Sequence, residues 1–127
     1  MATKLTPCPC GGTDYARCCG IYHNGTTAPD AERLMRSRYS AYVLKNEQYL
    51  LATWHPDTRP AALDLQRDPS KWLGLEIKKY SISDDAHATV EFVARYKLGG
   101  RAHRLHEISQ FVLANGQWLY MDGEFQQ

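Results

Sequence analysis

The sequence predicts an α+β fold in which helices pack on a curved four-strand antiparallel sheet, preceded by a small cysteine-rich head. Three observations lead there. Apolar residues recur at helical spacing after Asp30. From Leu73 onward, short strand-like runs are separated by turn pairs. All four cysteines, Cys8, Cys10, Cys18 and Cys19, fall within twelve consecutive residues.

The chain has 127 residues, enough for one ordinary domain and an appendage. Residues 1–25 form the head and residues 28–127 the body. A hydrophobic fraction of 43% and a charged fraction of 23% suit a soluble globular protein. The formal net charge is only +1, so no strong field points to nucleic acid or to a membrane surface. Four thiolates and one divalent cation add −2, so metal loading takes +1 to −1. Residues 1–25 contain no continuous apolar segment of the signal-peptide type, and no later run approaches the length of a membrane span. The expectation is a cytoplasmic protein without membrane insertion.

The head has few larger apolar side chains: Leu5, Tyr15, Ile21 and Tyr22. A segment that short needs a staple. Residues 24–29 read as a linker. Asp30 is then an N-cap with Arg33 at the third helical position. Ala31, Leu34, Met35, Arg38, Ala41 and Tyr42 share one helical face, with Arg38 the polar intruder. Asn46 caps a second helix through Tyr49, Leu50, Thr53 and Trp54, stopped by Pro56. Pro60 to Gln66 is read as a short third helix, and Pro69 to Trp72 as one more turn.

Strands are predicted near 74–82, 87–97, 102–113 and 117–122. Gly99-Gly100 and Asn115-Gly116 are hairpin signals, and Ser83-Asp84-Asp85 is a turn. Val90, Phe92, Ala94 and Tyr96 form one face of the second strand. The third strand mixes His103, Leu105, Glu107, Ser109 and Phe111 on one parity. Polar residues on both faces predict a curved, bulged sheet with a wet concave side.

The cysteines suit Zn²⁺, which favours four soft ligands in a tetrahedron. Cys8 and Cys10 approach from a turn around Pro9. Cys18 and Cys19 close the other side if the chain folds back. A site with four protein ligands leaves no open position, so it is structural, and such sites contribute roughly 10–16 kcal/mol in small zinc peptides. The competing readings are a disulfide pair, a redox dithiol and four free thiols. Adjacent Cys18 and Cys19 are poor partners for each other, and a reducing compartment disfavours disulfides. His23 is either a replacement ligand, an exposed residue, or a group that orients a sulfur. One zinc per chain is expected, with metal release unfolding residues 1–25 while the body survives.

Cys8-Pro9-Cys10-Gly11, Tyr15 and Cys18-Cys19-Gly20 resemble the SEC-C motif, Cys-Pro-Cys-Gly-Ser-Gly…Tyr-Lys-Lys-Cys-Cys-Gly, found in the translocation ATPase SecA and many other proteins. The resemblance implies Cys8, Cys10, Cys18 and Cys19 as the ligand set. Two departures matter: the loop between the pairs is one residue shorter, and Asp14 and Arg17 stand where lysines are usual. In SecA that basic surface helps bind acidic SecB and phospholipid, a role that does not transfer without the lysines.

The body also carries a resemblance. Leu34-Met35-Arg36-Ser37-Arg38-Tyr39-Ser40-Ala41-Tyr42, Tyr49-Leu50-Leu51-Ala52-Thr53-Trp54-His55-Pro56, Trp72-Leu73-Gly74-Leu75, Glu91-Phe92-Val93-Ala94-Arg95-Tyr96 and Trp118-Leu119-Tyr120-Met121-Asp122-Gly123 resemble the YchJ-like family. That resemblance implies a SEC-C motif before a nuclear-transport-factor-two-like (NTF2-like), cystatin-like cone. The family's usual Glu-Arg-Ser-Arg-Phe run stands here as Glu107-Ile108-Ser109-Gln110-Phe111, without its arginines. The resemblance supplies a fold and a metal, not a reaction.

A cone encloses a pocket, and the candidate pocket residues are Arg38, Trp54, His55, Arg95, Glu107 and Asp122, with His106 beside them. One expectation is an Arg–carboxylate network that satisfies polar groups in a wet cone. The other is an isomerase- or dehydratase-type site with Glu107 or Asp122 as base and His55 or His106 as partner. No phosphate loop, serine elbow or metal-ligand histidine cluster occurs in the body. The chain therefore reads as a zinc-binding, non-enzymatic protein-interaction module, with a small ligand in the cone as the alternative and nucleic acid disfavoured.

Overall fold

In the computed structural model, residues 6–126 are described. Asp30 starts the longest helix. Its extended backbone turns its carboxylate back, and Oδ1 accepts from the Arg33 amide at 2.7 Å. This helix spans Ala31–Leu44 and is preceded by a short one at Cys19–His23. They are α2 and α1. Lys45 ends α2 in the left-handed region, and Asn46 caps α3, Glu47–Ala52, by accepting from the Tyr49 amide.

The sequence extends α3 through Trp54, but the structure ends it earlier. The Tyr120 amide donates to the Thr53 carbonyl, and the His55 amide donates to the Tyr120 carbonyl, both at 2.8 Å. Residues 53–55 are thereby sewn to the last strand and leave the helical path. The helix expected from Pro60 to Gln66 does not form. That stretch is a loop with one 3₁₀ turn at Leu65–Arg67, because only Leu65 is fully buried, packed with Ala41 and Leu50, and Leu63 is half-buried beside it. The turn expected at Pro69–Trp72 is also replaced. Strand pairing begins at Lys71, where Trp72 sits opposite Tyr96.

Four strands follow: β1 Lys71–Asp84, β2 His87–Leu98, β3 Arg101–Ala114 and β4 Gln117–Phe125. They pair in sequence order, each antiparallel to the next. At Gly99-Gly100 and Asn115-Gly116 both turn residues have positive φ, as tight type I′ hairpins require. Three register shifts in the β1–β2 ladder and one between Gln110 and Phe111 bend the sheet. Helix α2 lies against it, touching β1, β2 and β4.

At 100° per residue, Met35, Arg38, Tyr39 and Tyr42 face the sheet, while Arg36, Ser37 and Ser40 point the other way. The head occupies that second side. Cys8, Cys10 and Cys19 belong to the same buried cluster as Leu34, Met35, Tyr39 and Phe92. Ala28, within the expected linker, is buried too. The head is thus part of one core, because α2 carries small residues where the knuckle must approach, and the expectation that residues 1–25 unfold alone while the body survives gives way to one shared unit.

Candidate functional site

The head is built from short backbone turns. The Cys8 amide donates to the Gly12 carbonyl at 2.9 Å, and the Gly11 amide to the Cys8 carbonyl at 3.0 Å. A 3₁₀ turn at Tyr15–Arg17 brings the chain back, and α1 begins at Cys19. The four Sγ atoms all lie within 4.8 Å of one another, with Cys10 and Cys18 sulfurs 3.5 Å apart. Tetrahedral Zn²⁺ with Zn–S bonds near 2.3 Å places its sulfurs about 3.8 Å apart. The donor set therefore fits such a cation with minor adjustment. Gly12 makes the turn possible: a Cβ there would meet Cys18 Sγ at 2.8 Å.

The thiols pull against each other. Hydrogen bonding from Cys19, opposed by burial and helped by the Gly12 amide, draws Cys10 down to about 4. Burial, then donation to Cys10, pushes Cys18 up to about 11. Cys19 is raised further, first by its hydrogen bond to Cys10. Of these three thiols, only Cys10 is drawn toward its anionic form. A divalent cation is what makes four anionic sulfurs compatible. Around them, Ser40 Oγ stands 3.5 Å from Cys8 Sγ, and Arg36 Nη1 reaches the Cys10 carbonyl at 3.4 Å.

His23 is engaged at both nitrogens. Nδ1 accepts from the Tyr15 hydroxyl at 2.5 Å, and Nε2–H donates to the Ser37 carbonyl at 2.8 Å. Its ring also meets that of Tyr49, centroids 4.6 Å apart. It is a brace between head and α2, not a fourth ligand. Burial lowers its pKa, as a neutral brace requires. Sequence reasoning missed Ser37, Ser40 and Tyr49 as parts of this seam. Ser37 and Ser40 on α2 gave no signal of their own, and Tyr49 on α3 read only as part of an apolar face.

The second feature is a cavity of about 300 Å³ between α2 and the concave sheet, lined among others by Arg38, Trp54, Glu107, Tyr120 and Phe125. Arg38 is 3% exposed. Its Nη1 donates to the Leu50 carbonyl and to Thr53 Oγ1, each at 2.8 Å. Its guanidinium lies over the Tyr120 ring at 4.6 Å and the Trp54 ring at 5.1 Å. It makes no ion pair with a carboxylate among the described residues. Glu107 Oε2 accepts from Ser109 Oγ and from the Tyr120 hydroxyl. Gly123 leaves room for that carboxylate on β4. Burial, then the Glu107 charge, raises the Tyr120 phenol.

The other candidates lie outside the cavity. Arg95 alternates away from Phe92 and Ala94 and stands 3.8 Å from Glu76 at the surface. Asp122 is exposed. Plain alternation would put it beside Tyr120, but the bulge at Gln110/Phe111 adds a residue to β4 and reverses the parity, bringing Gly123 and Phe125 to the inner face instead. His55 Nδ1 accepts from the Asp57 amide at 3.1 Å. His106 sits on the outer parity of β3, 2.7 Å from Glu91. Neither histidine meets Glu107 or Asp122 among the described residues, so the expected carboxylate–histidine pairing is not formed. No helix among the described residues is long and apolar enough to cross a membrane.

A family model described as the YchJ middle NTF2-like domain matches residues 30–123. A UPF0225 protein of Methylibium petroleiphilum is 58% identical over 120 residues, covering 93% of this chain and 88% of that one. Another, from Ralstonia nicotianae, is 54% identical over 131 residues, covering 92% and 90%. Among solved structures, a SEC-C motif containing protein from Rhodopseudomonas palustris superimposes with a TM-score of 0.84 at 36% identity, over 96% of this chain and 100% of that one. One from Psychrobacter arcticus gives 0.78 at 30% identity, over 100% and 86%.

Proposed function

Because this chain belongs to the UPF0225/YchJ-like family of NTF2-like domain proteins with a SEC-C motif, we propose that its four cysteines hold one structural Zn²⁺ and that the stapled head is a non-enzymatic protein-interaction surface. The observation that carries this reading is the convergence of four sulfurs within 4.8 Å, three of them buried. When bound, the cation compensates the thiolates and closes the loop between the cysteine pairs. The chain does the rest. Gly12 lets the turn pass Cys18, Ser40 offers an O–H to Cys8, and His23 fixes the head on α2.

The outward side of the head supports the interaction reading. Gly11, Arg17 and Ile21 are exposed, which leaves both an apolar and a charged side chain of the head open to a partner. A net charge of +1 and the scarcity of lysines around the knuckle favour a protein partner over nucleic acid. A reducing cytoplasm is the compartment that keeps four thiols available for metal.

The test has two arms. Metal analysis of protein purified without chelators should give one zinc per chain, and Cys18→Ser should abolish it. Ile21→Glu and Arg17→Glu should keep the zinc but lose partners recovered by the wild type. Identical partner sets for wild type, Ile21→Glu and Cys18→Ser would rule out the head as the interface.

A further inference from the structure

Arg38 and Glu107 are spent unevenly. On Arg38 only Nη1 is hydrogen-bonded; Nε and Nη2 donate to nothing among the described residues. On Glu107, among the described residues, only Oε2 accepts and Oε1 meets no donor. None of these free atoms is sealed from solvent. Both side chains are more than nine-tenths buried, and both line the 300 Å³ cavity. A buried guanidinium with open N–H groups is a costly feature unless something accepts from them.

We propose that this cavity is a binding site for a small, uncharged, mainly aromatic or aliphatic molecule with an amide-like head, its acceptor on Arg38 and its donor on Glu107. The argument is one of charge and shape. Ser109 and Tyr120 both donate to Glu107, so it acts as an acceptor, the role of a carboxylate. One guanidinium and one carboxylate sum to zero. A charged ligand would bring an uncompensated charge into a poorly solvated space, whereas a neutral head with one acceptor and one donor satisfies both groups. The remaining wall, including Tyr42, Trp54, Trp72, Phe92 and Leu105, is apolar or aromatic and suits a ring or short chain. Phe125, 70% exposed at the end of β4, edges the cavity. An exposed aromatic there marks the entrance. The volume is at the small end of ligand sites, roughly 300–1,000 Å³, which sets the ligand at one or two rings. The inference does not depend on the metal or the head's partner.

The experiment titrates zinc-loaded full-length protein with 2-naphthamide, 2-naphthoate and 2-methylnaphthalene, following amide and indole resonances by NMR. The amide should bind with shifts at Trp54, Trp72 and Tyr120. The anion and the hydrocarbon should each bind at least about tenfold weaker, the cost of one unmet polar or charged contact. Glu107→Gln removes the negative charge at constant volume, so its cavity should reverse preference and take 2-naphthoate over 2-naphthamide. Leu105→Trp should fill the cavity and remove binding while leaving the zinc in place. The proposal is overturned if the wild type prefers naphthoate or methylnaphthalene, if no probe shifts the cavity resonances, or if Glu107→Gln leaves the preference unchanged.

Discussion

The head and the cone rest on opposite sides of α2, yet they are held by different means. The cone has the apolar surface to fold on: Val90, Phe92, Ala94 and Phe111 are nearly or fully buried against α2. The head has almost none. Its buried side chains are mainly cysteines, packed beside Leu34 and Met35, and it is tied to α2 through Tyr15, His23, Ser37 and Ser40. Where apolar area is scarce, polar and metal bonds must supply the order, and those bonds are directional. The head therefore holds a shape sharply but depends on a few groups, while the cone spreads its stability over many contacts and retains a cavity. Because both lean on one helix, a failure in the head also exposes a face of α2.

The largest effect should come from Cys18→Ser. Loss of a ligand should abolish zinc and lower Tm by about 10 °C or more in calorimetry, given the several kcal/mol that tight binding contributes. The drop should involve the whole chain in one transition, because Cys8, Cys10 and Cys19 share the core with Leu34 and Phe92. Arg38→Met tests the cone side. It strips two hydrogen bonds made by a buried charged group and the guanidinium's contact with the Trp54 and Tyr120 rings, so it should cost roughly 3 kcal/mol by urea unfolding with zinc content unchanged.

His23→Phe tests the seam between the two. It should cost about 1–2 kcal/mol with zinc retained, which separates a brace from a ligand. Burial lowers the His23 pKa in the folded chain. Its contribution is therefore complete above its unfolded value near 6.5 and is lost as pH falls from there toward the depressed folded value. Unfolding measured between pH 7 and 5 should show a steeper loss of stability in wild type than in His23→Phe, whose thiols are the same. The smallest effects should follow Arg95→Ala and Asp122→Asn. Both residues are at the surface, so Tm should move by less than about 2 °C.

Much of this was legible where a residue type admits one local answer. Asp30 and Asn46 cap as their side chains dictate, and Gly99-Gly100 and Asn115-Gly116 make the hairpins their backbones favour. Four cysteines in twelve residues announce a common centre. What was hidden depends on partners distant in sequence. Trp54 leaves its helix because the last strand binds the backbone on either side of it. Asp122 turns outward because one bulge resets the parity of β4. Pro60–Gln66 reads as a short helix but has too little buried surface to hold one. Arg38 was visible as an intruder on an apolar face, whereas its aromatic platform of Trp54 and Tyr120 needed the fold to assemble it. Ser37 and Ser40 were silent because small residues in a helix look neutral until another segment is laid on them.

The central claim is that one zinc joins the head to the same cooperative unit as the cone. The most direct measurement pairs native mass spectrometry with calorimetry on protein purified without chelators, before and after zinc removal under reducing conditions. The account predicts one zinc per chain, and on its removal a single transition of the whole chain at a Tm lower by about 10 °C or more. A protein that carries no zinc, or a cone that melts at an unchanged temperature after the head has lost its metal, would contradict it.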